Sequence, residues 1–326
     1  MTGWRNGLRR VLFIATLPLF LGSAACGRIV PEIARPLVSR TNGEATIEVL
    51  DVGQGDSILI RSPEGKTALI DAGPSNHIVK LLNDRGLTSI DLVVVSHHHS
   101  DHYGGMRAVI RQFQPRFFMA ANSPHATASY LKLLRDVESS SMKTIHPTAV
   151  TRRIELGSMV LTVFPEAPSD RTEENNNSVG IRLDYGSFSM LFTGDSEEKE
   201  RRWWMTHQPD LIRDAIILKL AHHGSRNGTD EDWLDRVRPE LAIASLGAGN
   251  DYGHPHRETV SLLAHHGIPL LRTDEAGSVT IMTDGKSWRY LTSEIADRPD
   301  WINSRGLKRS FRRKLHTSGG GAARRR

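Results

Sequence analysis

Cysteine is nearly absent from this chain of 326 residues: Cys26 stands alone, so no disulfide can form within the chain. Long apolar runs are also scarce: the stretch of residues 11–21 is shorter than a transmembrane helix usually needs. Acidic residues are missing from residues 1–26 and 303–326, although the second segment carries nine lysines and arginines. The formal charge of +5 therefore comes from the two ends, and the body between them is mildly acidic.

Residues 1–26 have the pattern of an export signal. A basic start precedes the apolar run of residues 11–21, and small residues at positions 23–25 form a cleavage site directly before Cys26. A cysteine in this place is typical of a bacterial lipoprotein, although Ser23 stands where such signals usually carry leucine. We therefore expect export. Three outcomes stay open: a lipid on Cys26 that attaches the chain to a membrane, release as a secreted or periplasmic protein, and an uncleaved anchor.

The rest of the chain divides into three parts by composition. Residues 27–43 resemble a linker, residues 44–302 alternate strand-like and helix-like runs, and residues 303–326 form a basic tail that should be disordered. Strand–turn–strand units followed by strand–helix alternation favour an α/β sandwich with mixed sheets. The tail is either a solvated end or an arm that binds nucleic acid or an anionic membrane through its charge.

The strongest sign of chemistry is the stretch His-His-His-Ser-Asp-His at residues 97–102, which follows an apolar run that predicts a buried strand. His97 and His99 are two residues apart and can reach one divalent ion. Asp101 and His102 point at a second ion beside it. Paired ions about 3.5–4 Å apart are a common device for hydrolysis. The alternative is a polyhistidine surface loop, but the aspartate, the spacing and the strand context favour a metal site.

Further strand ends carry polar groups that can reach the same rim. Asp195 is the predicted bridge between the ions, because its two oxygens can hold two cations; a helix cap is the alternative. Adjacent residues of a strand face opposite ways, so only one of His222 and His223 should ligate, and we favour His222. His223 would then contact a substrate phosphate or orient a ligand. His254 and His256 are expected to support the site or contact substrate, with a packed turn as the alternative.

Two ions in such a site would make a metal-bound hydroxide available near neutral pH and would stabilise charge that grows on an attacked phosphoryl or carbonyl group. Asp101 would orient this hydroxide as well as hold an ion, and His223 and His254 are the other candidate catalytic residues. Imidazoles suit Zn²⁺ and carboxylates also permit Mn²⁺, so both cofactors stay open.

Together these motifs resemble the metallo-β-lactamase superfamily, and within it the ComEC-type hydrolase domain of bacterial competence DNA-uptake channels. The matching segments are residues 51–56, 71–73, 97–102, 193–195, 218–225 and 252–255. The resemblance implies an α/β fold of the metallo-β-lactamase αββα sandwich type in a single domain, with two-metal hydrolase activity. It also implies substrate contacts from Lys219, Asn177, Ser178 and Ser225.

Departures from the superfamily pattern narrow this expectation. Its β-lactamases usually supply a third histidine to the first metal, whereas residues 175–178 here read Asn-Asn-Asn-Ser, as in the ComEC type, and His146 precedes the next strand pair. We therefore expect weak or exchangeable binding of the first ion and no antibiotic hydrolysis. About 26 residues separate Asp195 from His222, which leaves no room for the inserted clamp domain of the RNA-processing nucleases.

ComEC-type channels carry a long multi-span membrane region that this chain lacks, so we expect a stand-alone exported version and do not carry over a role in DNA import. The leading hypothesis is an exported two-metal phosphodiesterase with DNA as substrate. A second enzyme hypothesis is hydrolysis of another envelope phosphodiester or ester, such as a phosphocholine ester. The non-enzyme alternative is a DNA- or envelope-binding protein with an inert site. No protein partner is predicted.

Overall fold

The computed structural model describes residues 43–123 and 127–293. The export-signal pattern, Cys26, residues 27–42 of the linker and the basic tail lie outside the described residues, so these predictions stay as the sequence leaves them. All described strands and helices belong to one structural unit. Within the described residues, no helix combines the length and the apolar character that crossing a membrane requires.

The strands form two mixed sheets. The first sheet contains β1 (Ala45–Val49), β2 (Ile58–Arg61), β3 (Thr67–Ile70), β4 (Leu92–Val95), β5 (Phe117–Ala120), β6 (Lys143–Ile145), β14 (Val279–Thr283) and β15 (Trp288–Thr292). The second sheet contains β7 (Arg152–Leu156), β8 (Met159–Val163), β9 (Ile181–Tyr185), β10 (Phe188–Phe192), β11 (Ile217–Lys219), β12 (Leu241–Ala244) and β13 (Leu270–Arg272).

The strand order is β15-β14-β1-β2-β3-β4-β5-β6 in the first sheet and β13-β12-β11-β10-β9-β8-β7 in the second. Neighbours from β3 to β6 and from β10 to β13 run parallel. The remaining neighbours are antiparallel, and β1 pairs with both β2 and β14, so the two ends of the folded region meet in one sheet. Each sheet thus has a parallel half whose carboxyl ends lie at one edge.

Helices cover the outer face of each sheet. They are α1 (His77–Asp84), α2 (Ser100–Tyr103), α3 (Met106–Phe113), α4 (Ala128–Glu138), α5 (Glu198–His207), α6 (Pro209–Ile212), α7 (Glu231–Val237), α8 (Arg257–His265) and α9 (Thr273–Ala276). Short 3-10 turns lie at Glu174–Asn177, Ala221–Gly224 and Arg226–Gly228.

Strand β4 shows why the sandwich has four layers. Leu92 and Val94 point into the core that the two sheets share, whereas Val93 and Val95 pack with α1, α3 and α4. Alternate side chains of a strand face opposite ways, so a strand covered on both faces must be apolar throughout. The outer face of the second sheet packs in the same way against Trp204 of α5 and other helical side chains. These layers confirm the predicted αββα sandwich.

The structure contains short elements that apolar patterning does not reveal, namely β6, β13, β15, α2, α6 and α9. Four of the five residues of β15 are exposed, so this edge strand lacks the alternation that a half-buried strand would show. The polar segment of residues 169–177 ends in the 3-10 turn Glu174–Asn177, with Asn175 and Asn176 buried. A polar sequence can therefore be buried where its amides find partners.

Candidate metal centre

The carboxyl ends of strands from both sheets carry the predicted metal ligands. Strand β4 ends at Val95, and the loop and helix after it hold residues 97–102. Asp195 comes after β10, and His222 and His223 come after β11. Side chains just beyond the ends of parallel strands can converge at one edge of a sheet, and here the two sheets bring theirs together.

Asp195 Oδ2 lies among four imidazole nitrogens. It is 3.3 Å from Nε2 of both His102 and His223. Nε2 of His97 and of His222 lie 3.8 Å and 4.0 Å away. The Asp195 side chain is almost fully buried, and its Oδ1 has no hydrogen-bond partner within the part of the chain that the structure describes. A buried carboxylate with one unpaired oxygen, surrounded by nitrogen ligands, suits a site that binds cations.

Hydrogen bonds at Nδ1 of His102 and His223 fix which nitrogen of each ring faces Asp195. His102 Nδ1 lies 2.8 Å from Asp71 Oδ2, and His223 Nδ1 lies 2.8 Å from the carbonyl oxygen of Ser245. An ionised carboxylate and a carbonyl only accept hydrogen bonds, so each ring donates from Nδ1 and leaves Nε2 to take a proton or a metal. Histidines that bind metals are usually held in this way. The donor set therefore fits divalent ions.

His97 and His99 form the other side of the group. His97 is fully buried, and its Nδ1 lies 3.2 Å from Ser96 Oγ. The Ser96 hydroxyl donates in turn to Asp71 Oδ2 over 2.6 Å, which leaves its oxygen to accept from His97. His97 Nε2 and His99 Nδ1 are 3.1 Å apart. Because His97 donates from Nδ1, its Nε2 offers a lone pair, which either accepts a hydrogen bond from His99 Nδ1 or shares a cation with it.

Asp101 closes the group on the solvent side. Its Oδ2 lies 3.2 Å from His223 Nε2 and 3.8 Å from His102 Nε2, and its side chain is 31% exposed. Asp101, His102, Asp195 and His223 thus form a set of two imidazoles and two carboxylates. Zn²⁺ and Mn²⁺ both accept such ligands.

Residues 175–178 carry amides and a hydroxyl where β-lactamases of the superfamily supply a third histidine to the first metal. The amides of the 3-10 turn point elsewhere: Asn175 Nδ2 donates to Glu197 Oε1 over 3.3 Å, and Asn176 Nδ2 donates to Asp170 Oδ2 over 3.4 Å. Weak binding of the first ion stays a prediction.

The structure removes the reason for preferring His222 to His223 as the ligand. Strand β11 ends at Lys219, and both histidines lie in a 3-10 turn with φ angles of 49° and 55°. The alternation of a strand therefore does not apply to them, and the left-handed backbone turns both rings toward the site. His223 is the buried ring that contacts Asp101, whereas His222 is 23% exposed and has Nδ1 3.2 Å from Glu197 Oε1.

Lys219, for which a substrate contact is predicted, is buried, and its ammonium group donates to Asp56 Oδ2. Asp56, His102, Asp195 and His223 each bring a ligand atom within 4.8 Å of the others. However, Asp56 faces the Nδ1 side, at 3.4 Å from His223 and 4.0 Å from His102, opposite to the Nε2 atoms that meet Asp195. Asp56 thus lies behind the two rings and is suited to orient them.

The other predicted substrate residues contact the backbone of the protein itself. Ser178 is buried, and its Oγ accepts from the backbone N–H of Asp195 over 3.1 Å. The side chain of Asn177 accepts from the N–H of Asp170 and donates to its carbonyl. Ser225 is buried as well. These three side chains are therefore placed to support the loops of the site. Their contacts do not point to the substrate binding that the resemblance implies.

His254 borders the site as the sequence predicts. Its ring centre lies 5.4 Å from that of His222 and 6.0 Å from that of His223. Burial, together with the charges of His223 and His222, lowers the pKa of His254 to about 4. Its imidazole is therefore neutral at pH 7.

The carboxylates and imidazoles of the centre stabilise each other's charged forms. Burial alone would raise the pKa of Asp195, but the charges of His102 and His223 outweigh it and hold this pKa well below its usual range. Burial would lower the pKa values of His102 and His223, but the Asp195 carboxylate holds both well above their usual range. Metal ions that bind here must therefore displace protons.

Sequence reasoning did not assign roles to Asp71, Asp56 or Ser245, although the first two lie in the matched motifs. Asp71 comes directly after β3, is fully buried, and has a φ of 61°, which is uncommon for a residue other than glycine. Strained backbone of this kind is often kept at functional sites. A carboxylate directly after an apolar strand is the signal that could have found it.

Comparison with known proteins agrees with this geometry. The model of the metallo-beta-lactamase superfamily matches residues 50–248. The chain belongs to the metallo-β-lactamase superfamily. Its α/β sandwich and its buried Asp–His group are the fold and the candidate metal site of a metal-dependent hydrolase of this superfamily.

Curated relatives include members of the ComEC type. The chain is 27% identical over 260 residues to ComE operon protein 3 of Bacillus subtilis, covering 73% of this chain and 33% of that protein. It is 29% identical over 247 residues to competence protein ComA of Neisseria gonorrhoeae, covering 72% and 32%. The chain thus spans about a third of the length of these two relatives. A UPF0173 metal-dependent hydrolase of Cupriavidus necator is 25% identical over 252 residues, covering 72% and 85%.

Solved structures share the metallo-β-lactamase fold at low identity. YhfI of Bacillus subtilis aligns with a TM-score of 0.50 and 14% identity, covering 70% of this chain and 96% of that one. CmlA of Streptomyces venezuelae, a diiron β-hydroxylase, aligns with a TM-score of 0.50 and 16% identity, covering 78% and 55%. These matches concern the fold, and the predicted resemblance to the ComEC-type branch is confirmed by the curated relatives.

Proposed function

We propose that this chain is a two-metal phosphodiesterase that cleaves DNA, exported by the signal pattern of residues 1–26, with lipid attachment at Cys26 as one route to the membrane. The observation that carries the catalytic part is the position of Asp195 Oδ2 among the Nε2 atoms of four histidines. The competence proteins among its relatives support DNA as the substrate class.

The residues divide between two ions. His97, His99 and Asp195 would hold the first ion, and Asp101, His102, His223 and Asp195 would hold the second. Zn²⁺ and Mn²⁺ are the candidates. Bound divalent ions would activate water as a nucleophile and stabilise the charge that develops on phosphoryl oxygens.

The chain's own groups would then place the reacting atoms. Asp101 is the partly exposed carboxylate of the group, so it is placed to orient the attacking water and accept its hydrogen bond. His254 is neutral at pH 7, because its pKa is about 4, so it suits accepting a hydrogen bond rather than protonating a leaving group. His222 is partly exposed, with Nδ1 3.2 Å from Glu197 Oε1, and its position suits contact with a phosphoryl oxygen.

DNA cleavage with added metal tests this proposal. Metal-free protein should not cleave single- or double-stranded DNA, and Mn²⁺ or Zn²⁺ should restore cleavage. Asp101→Asn keeps the shape of the side chain and should lower the rate about 100-fold or more, as loss of a positioned catalytic group typically does. Cleavage that withstands both chelation and Asp101→Asn would show that the activity does not come from this centre.

A further inference from the structure

A large aromatic side chain lies exposed beside the metal centre. Tyr252, in the loop between β12 and α8, is 66% exposed. Its ring is nearly parallel to that of His254, with an interplanar angle of 21° and ring centres 5.6 Å apart. An exposed aromatic ring at the rim of a polar site is a place where a flat ligand can stack.

The turn that presents Tyr252 is braced by one side chain. Asn250 Nδ2 donates to the carbonyl oxygens of Gly247 and His254, over 3.1 Å and 2.8 Å. Asn250 Oδ1 accepts from the N–H of His254 over 3.0 Å. Gly253 has a φ of 72°, a left-handed conformation that glycine adopts without strain. The backbone on both sides of Tyr252 is therefore fixed, so binding would not require the turn to be ordered first.

The rings of Tyr252, His254 and His223 lie in a row that ends at the metal centre. His254 is 8% exposed, and its ring centre lies 6.0 Å from that of His223, the buried ligand of the second ion. Its Nδ1 has no hydrogen-bond partner in the described structure. A phosphodiester held at the metal centre would therefore place its attached group against His254 and Tyr252.

We propose that Tyr252 and His254 form a stacking subsite for the nucleobase next to the scissile phosphate, so that the enzyme prefers nucleotide diesters to diesters without a flat ring. This rests on the proposed phosphodiesterase function. Stacking on an aromatic side chain accepts every base, which matches cleavage without sequence preference. A quaternary ammonium headgroup is better held by aromatic faces on several sides, whereas the Tyr252 ring stacks on the nearly buried His254 ring and is the exposed member of the pair.

The test compares two single-stranded oligonucleotides, one of deoxythymidine and one of the same length with base-free sugars, cleaved by the full chain with Mn²⁺. Tyr252→Ala should raise KM for the thymidine oligonucleotide about 5-fold or more, and Tyr252→Phe should restore it, since stacking needs the ring alone. Neither variant should change KM for the base-free strand. Tyr290→Ala, at a 47% exposed tyrosine on β15, is the matched control and should leave both values unchanged.

The outcomes separate the subsite from the proposed function. If the wild type cleaves neither strand, the phosphodiesterase proposal fails. If the wild type cleaves the thymidine strand but Tyr252→Ala has an unchanged KM, or an equal change for both strands, the stacking subsite alone is contradicted. Inhibition by phosphocholine that Tyr252→Ala abolishes, with KM for the thymidine strand unchanged, would assign the rings to a headgroup instead.

Discussion

Lys219 donates a hydrogen bond from Nζ to Asp56 Oδ2, and the side chains of both residues are 1% exposed. The pair lies behind the rings of His102 and His223, on the side opposite to Asp195. A buried carboxylate is costly without a partner, so Lys219 neutralises Asp56 while Asp56 faces the histidines.

Replacing Lys219 should therefore destabilise the protein through Asp56. Lys219→Met leaves the carboxylate buried without its partner and should cost about 3–5 kcal/mol in urea unfolding. The double variant Lys219→Met with Asp56→Asn should regain most of this free energy, because no charge is left unpaired. Metal affinity of the double variant, measured by chelator competition, should stay below wild type if Asp56 orients the rings.

An exposed lysine–aspartate pair gives the control for Lys219→Met. Lys66 is 49% exposed and lies 3.5 Å from Asp91, so Lys66→Met should change the unfolding free energy by less than about 1 kcal/mol. A double variant as unstable as Lys219→Met would contradict the charge argument. A double variant with wild-type metal affinity would show that Asp56 neutralises Lys219 but does not orient the histidine rings.

His223 and His222 should differ in metal content. His223→Ala removes a buried ring that lies 3.3 Å from Asp195 Oδ2, so we expect the variant to retain about one ion fewer per chain. His222→Ala removes a partly exposed ring whose Nε2 lies 4.0 Å from Asp195 Oδ2, so this variant should keep the wild-type metal content. Elemental analysis of the dialysed proteins measures both. Loss of metal in His222→Ala but not in His223→Ala would instead support His222 as the ligand, as strand alternation predicts.

The two ions should leave the protein at different chelator concentrations. The first set has two imidazoles and one shared carboxylate, whereas the second has two imidazoles and two carboxylates, so the first should release its ion more easily. His99→Ala should remove the weaker step of a chelator titration and leave the stronger one. A single step in the wild type, or loss of the stronger step in His99→Ala, would argue against this difference.

Glu200 should make stability fall as pH rises. Burial raises the pKa of this carboxyl group well above its usual 4.5, and its Oε2 accepts from the N–H of Ser178. The unfolded chain loses this proton near pH 4.5, while the folded chain keeps it to higher pH. The free energy of unfolding therefore falls as pH rises from about 4.5 to the pKa of Glu200 in the folded protein. Glu200→Gln should be more stable than wild type at pH 8 and equal to it at pH 4.

The control for Glu200 lies two residues earlier on the same helix. Glu198 is 63% exposed, so Glu198→Gln should not change the pH dependence of urea unfolding. If the wild type and Glu200→Gln lose stability in parallel from pH 4 to pH 8, the carboxyl group of Glu200 is not protonated in the folded protein.

Local sequence patterns predict the strands and the metal ligands, whereas features that depend on distant contacts are missed. Apolar runs such as β4 predict the strands, and the spacing in residues 97–102 predicts ligands that the structure brings together. The argument for His222 over His223 assumes a strand, whereas both residues lie in a left-handed turn that strand alternation does not predict. The buried pair of Lys219 and Asp56 is missed because the two residues are 163 positions apart in the chain.

The central claim is that metal held around Asp195 cleaves phosphodiesters. The most direct measurement titrates metal-free protein with Mn²⁺ and follows both bound metal and cleavage of single-stranded DNA in the same samples. We predict that the rate rises with bound metal, reaches its plateau at about two ions per chain, and is nearly lost in Asp195→Asn. Cleavage by metal-free protein, or an unchanged rate in Asp195→Asn, would contradict the claim.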